Sequence, residues 1–184
     1  MNMKKAVVFL ADGFEEVEAL TVVDLLRRAG VLVDTVSVSG KIMVKGSHGI
    51  EVKTEALVGE EDFAEVSLVV LPGGMPGTLH LKEHAQVRRI CETFFADGRL
   101  VAAICAAPTV LADIGLLEGR NATCYPAMEE KMAGAILSRE PVVADGNIIT
   151  SRGVGTAIAF ALKLIQALMG KEKADEIGQS IVYQ

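Results

Sequence analysis

The chain of 184 residues is long enough for one domain with a sizeable core, and its 51% hydrophobic content with six Phe, two Tyr and no Trp makes that core aliphatic. Eighteen basic residues against 24 acidic ones leave a net charge of −6, which argues against non-specific nucleic-acid binding and against an anionic membrane surface. The three cysteines, Cys91, Cys105 and Cys124, are odd in number and lack a C-x-x-C spacing, which argues against a disulfide framework or a zinc site.

The first five residues carry two lysines and six apolar residues follow, but Asp12 ends the run too early for a secretory signal. Lys163 interrupts the longest apolar stretch, so no run reaches the roughly 20 residues of a membrane span. The expectation is a cytoplasmic protein. Residues 4–11 form an apolar strand of the kind buried on both faces of a parallel sheet. Asp12-Gly13 turns the chain into a helix over 15–29, which Gly30 stops. A second strand follows over 31–39, then a small ribbon from 42–44 and 50–52. Glu60-Glu61-Asp62 reads as a solvated acidic loop.

Residues 67–71 are another buried strand, ending in the loop Pro72-Gly73-Gly74-Met75-Pro76-Gly77. A helix over 85–97, a strand over 100–104 and a helix over 109–114 come next. A short strand over 121–125 and a short helix over 127–132 follow. Strands at 141–144 and 147–150 flank Asp145-Gly146, a hairpin turn signal, and helices over 154–169 and 171–178 complete the chain. Alternating strands and helices predict an α/β fold, an open and mostly parallel sheet between two helical layers. Sites in such sheets form outside the C-terminal ends of the strands, and three of those ends carry unusual residues: the turn at 12–18, the loop at 72–77, and Cys105.

Cys105 stands where a Val- and Ile-bearing strand gives way to small residues and a helix, so its thiol sits on a sharp turn. Ala103 and Ala107 occupy the places that Gly takes in the hydrolase motif G-x-S-x-G. Taken alone, a free cysteine is more often a small core residue than a nucleophile. Gly73 and Gly74 suit an oxyanion hole, because a backbone without Cβ lets N–H groups approach a substrate oxygen. Pro72-Gly73-Gly74 is too short for a dinucleotide fingerprint, and no phosphate-binding loop motif occurs.

Glu15, Glu16 and Glu18 open the first helix, where acidic residues ordinarily complement the helix dipole. Glu18 lies among Val17, Ala19 and Leu20, which marks it as the one to be buried. A buried carboxyl resists ionisation, and in its protonated form it can donate a hydrogen bond to a thiolate. The histidines His48, His80 and His84 do not adjoin Cys105 in sequence and read as loop or surface residues; His80 and His84 lack the Glu of a zinc-binding H-E-x-x-H. No metal or cofactor is expected.

Glu15-Glu16-x-Glu18, Arg27-Arg28-Ala29-Gly30, Val70-Leu71-Pro72-Gly73-Gly74, Ala102-Ala103-Ile104-Cys105-Ala106-Ala107-Pro108 and Thr150-Ser151-Arg152-Gly153-x-Gly155-Thr156 together resemble the ThiJ/PfpI superfamily. Within it the chain is most similar to the branch of the parkinsonism-associated deglycase and its YajL-like relatives. The resemblance is collinear from residue 4 to about 171 and implies one ThiJ/PfpI-type domain over 1–184. It implies a flavodoxin-like three-layer sandwich, also described as class I glutamine amidotransferase-like, that assembles as a homodimer. It also implies catalytic Cys105 and Glu18, with Gly73, Gly74 and Ala106 lining the site through N–H groups. Glu15, Arg28 and Tyr125 are further pocket candidates, with Arg28 on the dimer-facing side.

The implied chemistry is cofactor-independent: deglycase or glyoxalase action on methylglyoxal, glyoxal or their adducts on proteins and nucleotides. The other reading is a redox-responsive chaperone or oxidative-stress sensor with an oxidisable Cys105. The Thr-x-His-Pro of some members is Thr123-Cys124-Tyr125-Pro126 here, so that His is missing. Ala106 stands where the peptidase branch has a His directly after the Cys, which argues against peptidase or amidase activity. Gly46 and His48 stand where one member has Cys and Arg, so regulation through that Cys does not carry over.

Overall fold

The computed structural model describes residues 3–183. Its elements in chain order are β1 (Lys5–Leu10), α1 (Glu16–Arg28), β2 (Leu32–Ser37), β3 (Met43–Lys45), β4 (Glu51–Lys53), β5 (Ala56–Leu57) and β6 (Val66–Leu71). Then come α2 (Gly77–Glu83), α3 (Ala85–Ala96), β7 (Leu100–Ile104), α4 (Pro108–Asp113), β8 (Asn121–Ala122) and β9 (Ile136–Leu137). The hairpin β10 (Val142–Asp145) and β11 (Ile148–Ser151) leads to α5 (Ala157–Met169) and α6 (Lys171–Ser180).

Seven strands form the main sheet in the order β10-β11-β7-β6-β1-β2-β5. All neighbours are parallel except the edge pair β10–β11, which turns at Asp145-Gly146. The period-2 alternation of each central strand divides its side chains between two cores. Ala6, Val8, Leu10, Leu68, Val70, Ala102 and Ile104 point to the side of α1 and α5, packing on Val22, Leu26, Phe160 and Leu164. Val7, Phe9, Val69, Leu71, Val101 and Ala103 point the other way, onto Leu81, Val87, Phe94 and Leu111 of α2, α3 and α4. Because both faces are covered, the strands are apolar throughout, and the result is the three-layer sandwich that the sequence predicts.

Three local readings change. The loop after β6 is shorter than expected, because α2 begins at Gly77 and its Leu81 is buried. The strand expected over 121–125 is only β8, and it pairs with β9 in a separate ribbon rather than joining the main sheet. Residues Pro126–Lys131 form a 3-10 helix. No helix among the described residues is long and apolar enough to cross a membrane.

The ribbon β3–β4 docks on the turn after β1 by two backbone hydrogen bonds, Gly13 N–H to Lys45 O at 2.8 Å and Ser47 N–H to Phe14 O at 2.8 Å, and one to a side chain, Lys45 N–H to Asp12 Oδ1 at 3.0 Å. This brings the β3–β4 loop over the start of α1. The C-terminal ends of the adjacent parallel strands β11, β7, β6 and β1 meet beneath it.

Candidate active site

Cys105 follows directly on β7 with φ of +66°, a left-handed conformation costing a non-glycine residue roughly 1–2 kcal/mol. Its neighbours enforce that backbone. The Cys105 N–H donates to Ser151 O at 2.9 Å, and its carbonyl accepts the Tyr125 N–H at 2.8 Å. The thiol is therefore aimed off the sheet edge, partly buried, while Cys91 and Cys124 are buried in the opposite core.

Glu18 comes from the first turn of α1. Glu15 caps that turn, its Oε2 accepting the Glu18 N–H at 2.8 Å. The Glu15 N–H in turn donates to Gly73 O at 2.9 Å, locking the loop after β6 to the helix start. Gly73 returns its own N–H to Glu18 Oε2 at 2.9 Å. Glu18 is fully buried, and its Oε1 has no partner in hydrogen-bonding geometry. Oε1 and the Cys105 sulfur face the same wall, each 3.9 Å from where a Cβ on Gly153 would stand.

Glycine is required at both positions after Pro72. A Cβ on Gly73 would stand 2.6 Å from Cys105 Cβ and 2.7 Å from Glu18 Oε2. Gly74 has φ of +91°, and a Cβ there would meet the Glu15 nitrogen at 2.4 Å. The two glycines do different work. Gly73 spends its N–H on Glu18, so it positions the carboxyl and is not free for a substrate oxygen. The N–H groups of Gly74 and Ala106 point at the Cys105 sulfur and favour its anion.

The electrostatics follow from burial. Loss of solvent pushes the Glu18 carboxyl up to about 7; hydrogen bonding to Cys105 and Gly73 opposes the rise and the Glu15 charge adds to it. Burial also pushes the Cys105 thiol up to about 12, reinforced by the charge and hydrogen bonding of the Glu18 carboxylate, against the Ala106 and Gly74 N–H groups. These two rises describe one coupled pair. The carboxylate's part in raising the thiol vanishes once Glu18 is protonated, so the pair loses its first proton near neutrality and holds the second tenaciously. Passing the remaining proton from the sulfur to Oε1, which lies on the same wall, leaves a thiolate beside a neutral acid.

Cys105 and Glu18 open into a cleft of about 580 Å³ that Glu15, Gly74, Tyr125, His48, Arg152 and Val154 help to line. A slightly larger hollow between α5 and α6 carries none of this chemistry. Of the residues expected at the site, Cys105, Glu18, Gly73, Gly74, Ala106, Glu15 and Tyr125 come together. Arg28 does not line the cleft of its own chain. It lies ten residues beyond Glu18 on α1, about 15 Å along the axis, and pairs with Asp24 at 2.7 Å on the exposed face.

The sequence missed His48 and Arg152. His48 reaches the cleft from the β3–β4 loop, held by Glu16: its N–H donates to Oε1 at 2.7 Å and its Nδ1 lies 3.0 Å from Oε2. Burial alone would raise Glu16, but hydrogen bonds from the His48 ring and from the N–H groups of Glu16, His48 and Ile50 outweigh it and hold the carboxyl at about 2. The Glu16 carboxylate raises the His48 imidazole in return. Arg152 reaches Thr123 Oγ1 at 3.4 Å and Glu129 at 3.5 Å, both long contacts. The signal for Arg152 was visible in the Thr150–Thr156 motif; for His48 there was none, because its partner is 32 residues away in sequence.

Glu15, Glu16 and His48 are the residues among those described that come nearest to a metal-binding group, with ligand atoms within 4.8 Å of one another. Both Glu16 oxygens and His48 Nδ1 are already hydrogen-bonded within the loop, which makes the cluster a closed network rather than an open set of ligands.

A model of the DJ-1/PfpI family matches residues 4–167. Protein dj-1beta of Drosophila melanogaster is 39% identical over 181 residues, 97% of this chain and 97% of that protein. Protein DJ-1 homolog B of Arabidopsis thaliana is 40% identical over 183 residues, 98% of this chain, and the chain spans 42% of that longer protein. The glutathione-independent glyoxalase DJR-1.2 of Caenorhabditis elegans is 32% identical over 177 residues, 95% of this chain and 94% of that protein. Among solved structures, oxidized Toxoplasma gondii DJ-1 superposes with a TM-score of 0.94 at 37% identity, covering 98% of each chain. The family model covers most of the chain, and a relative 39% identical matches it over nearly its whole length: the chain belongs to the DJ-1/PfpI family.

Proposed function

We propose that the protein is a cofactor-independent, cysteine-dependent enzyme that converts small α-oxoaldehydes such as methylglyoxal, or their adducts on protein or nucleotide groups, to 2-hydroxy acids. The observation that carries this reading is that the Cys105 sulfur and the buried, unpaired Oε1 of Glu18 share one wall of the cleft, with the Gly74 and Ala106 N–H groups beside the sulfur. The 32% identity to a protein named as a glutathione-independent glyoxalase supports it.

The chemistry balances without a redox partner. As the sulfur attacks the aldehyde carbon, C1, the S–C bond forms and the thiol proton passes to the Glu18 carboxylate. The C=O electron pair moves onto oxygen, beside the Gly74 and Ala106 N–H groups, and Glu18 returns the proton to it. The ionised Glu18 then removes the C1 hydrogen as a proton. The C–H pair becomes a C1=C2 bond, and the C2 oxygen takes up a proton to give an enediol. Glu18 delivers its proton to C2 while the C1 hydroxyl loses its own, leaving a thioester. Water cleaves the thioester to a 2-hydroxy acid and restores the thiol. C1 is oxidised and C2 reduced by equal amounts.

Lactate production from methylglyoxal by the parent and its absence in Cys105→Ser tests the reading. Equal lactate from both would overturn it.

A second reading, a redox-responsive protein in which Cys105 is oxidised, is favoured by the accessibility of Cys105 alone among the three thiols. The likeness to a DJ-1 solved in an oxidized state also supports it. Either way we take the protein to be a cytoplasmic homodimer, without membrane or specific nucleic-acid partners. Half-exposed Val17, Ile50 and Val154 near the cleft support a second copy there, and sedimentation velocity at micromolar concentration tests it.

A further inference from the structure

The enediol step asks for something that Cys105, Glu18 and the two N–H groups do not supply: a proton for the second oxygen, on C2. Glu18 is occupied at that moment, because it is taking the C1 hydrogen. The Gly74 and Ala106 N–H groups face the sulfur and the C1 oxygen beside it. The Thr156 hydroxyl, also on the cleft wall, is engaged with Ser151 and Gly153.

We propose that His48, clamped by Glu16, is the general acid that protonates the C2 oxygen, in place of a histidine at position 125. The inference rests on the oxoaldehyde reading above. His48 is the one imidazole lining the cleft. Its Nδ1 lies 3.0 Å from Glu16 Oε2, so that nitrogen carries a proton and donates to the carboxylate. Nε2 is then the nitrogen that gains and loses a proton, and the ring, 70% exposed, can exchange it with water. The clamp is built rather than incidental. Glu16 is buried, and it also accepts hydrogen bonds from the His48 N–H, the Ser47 hydroxyl and the Ile50 N–H, which fixes the loop carrying the ring.

The charged groups facing the ring favour its cationic form. Glu16 at 3.0 Å and Glu15 at 3.7 Å, both from the start of α1, are carboxylates, while Arg152 approaches the cleft from the loop after β11. The His48 pKa is correspondingly raised. The proton balance is simple. His48 Nε2–H gives its proton to the C2 oxygen as the C2=O pair moves there, leaving a neutral imidazole. The C1 hydroxyl later releases its proton to water, and the exposed ring recovers one from water. Glu16 is a positioning residue, since it acts only through His48.

The test is the pH profile of lactate formation from methylglyoxal by the parent, His48→Gln and Glu16→Gln, with Cys105→Ser as the blank. Cys105 alkylation by iodoacetamide serves as a separate report on the nucleophile. For the parent, kcat falls as pH rises through the His48 pKa. For His48→Gln that limb disappears, kcat drops about a hundredfold or more, KM changes less than about threefold, added imidazole restores part of the rate, and alkylation of Cys105 is unaltered. Glu16→Gln moves the limb to lower pH. Should His48→Gln keep the parent kcat and pH profile, or lose alkylation in step with turnover, His48 is not the acid. If the parent makes no Cys105-dependent lactate, the oxoaldehyde reading itself fails and takes this inference with it.

Discussion

The Gly73 N–H donates to Glu18 Oε2 at 2.9 Å, and that bond leaves Oε1 as the carboxyl oxygen that shares a wall with the Cys105 sulfur. One backbone amide thus decides which oxygen of a buried acid meets the nucleophile.

The first consequence concerns the thiol. In the parent, the pair releases its first proton near 7 because Glu18 can carry the one that remains. In Glu18→Gln the buried thiol must lose its own proton, so the reactive anion appears at higher pH. The midpoint of the iodoacetamide rate against pH should therefore rise by a unit or more from a parent value near 7. An unchanged midpoint would mean that the two groups do not share a proton.

Stability carries the same signature. The Glu18 pKa is raised on folding, so its contribution is complete below about 4.5 and is lost as pH rises through about 7. The shift corresponds to on the order of 3 kcal/mol. Glu16, held at about 2, acts oppositely: its contribution is present above about 4.5 and lost only as pH falls toward 2, outside this window. Urea unfolding at pH 5 and pH 8 should show the parent losing more stability than Glu18→Gln over that interval. Parallel losses would contradict the assignment.

Gly73→Ala should be severe, because its Cβ would stand 2.6 Å from Cys105 Cβ and 2.7 Å from Glu18 Oε2. A stability loss of roughly 1–3 kcal/mol is expected, with alkylation and turnover both falling at least tenfold. Gly59→Ala, with nothing within 4 Å, is the control and should unfold within about 0.5 kcal/mol of the parent.

The sandwich was legible because apolar strands and amphipathic helices alternate along the chain, and each strand divides its side chains between two cores. Burial of Glu18 was expected, but its apolar neighbours did not single it out, since Glu15 and Glu16 are buried beside it and Val17 is half-exposed; Cys105 was legible from the break between strand and helix. The resemblance to known motifs raised the cysteine from a core candidate to a site residue. What stayed hidden depends on contacts distant in sequence. The Gly73 amide reads as an oxyanion donor until Glu18 is seen to occupy it. His48 reads as a loop residue until β3–β4 docks on the β1 turn and Glu16 captures it. Arg28 shares a helix with Glu18, but the helix rise carries it away from the cleft.

Peroxide should oxidise Cys105 well before the other thiols. Cys91 and Cys124 are buried, and neither is solvent-accessible. Cys105 is partly exposed at the cleft, with the Glu18 carboxyl beside it to take its proton as the sulfur attacks. Peptide mass spectrometry after a peroxide titration should find sulfenate or sulfinate on Cys105 with less than a tenth as much on Cys91 or Cys124. Comparable oxidation of all three would contradict the poised-thiolate picture.

The most direct test of the Cys105–Glu18 centre is initial-rate lactate production from methylglyoxal at pH 7 by the parent, Cys105→Ser and Glu18→Gln, each first shown by circular dichroism to be folded. The centre requires turnover in the parent, none above the uncatalysed rate in Cys105→Ser, and a fall of at least a hundredfold in Glu18→Gln, in keeping with a general acid–base group. Parent-like lactate production by either folded variant would contradict it.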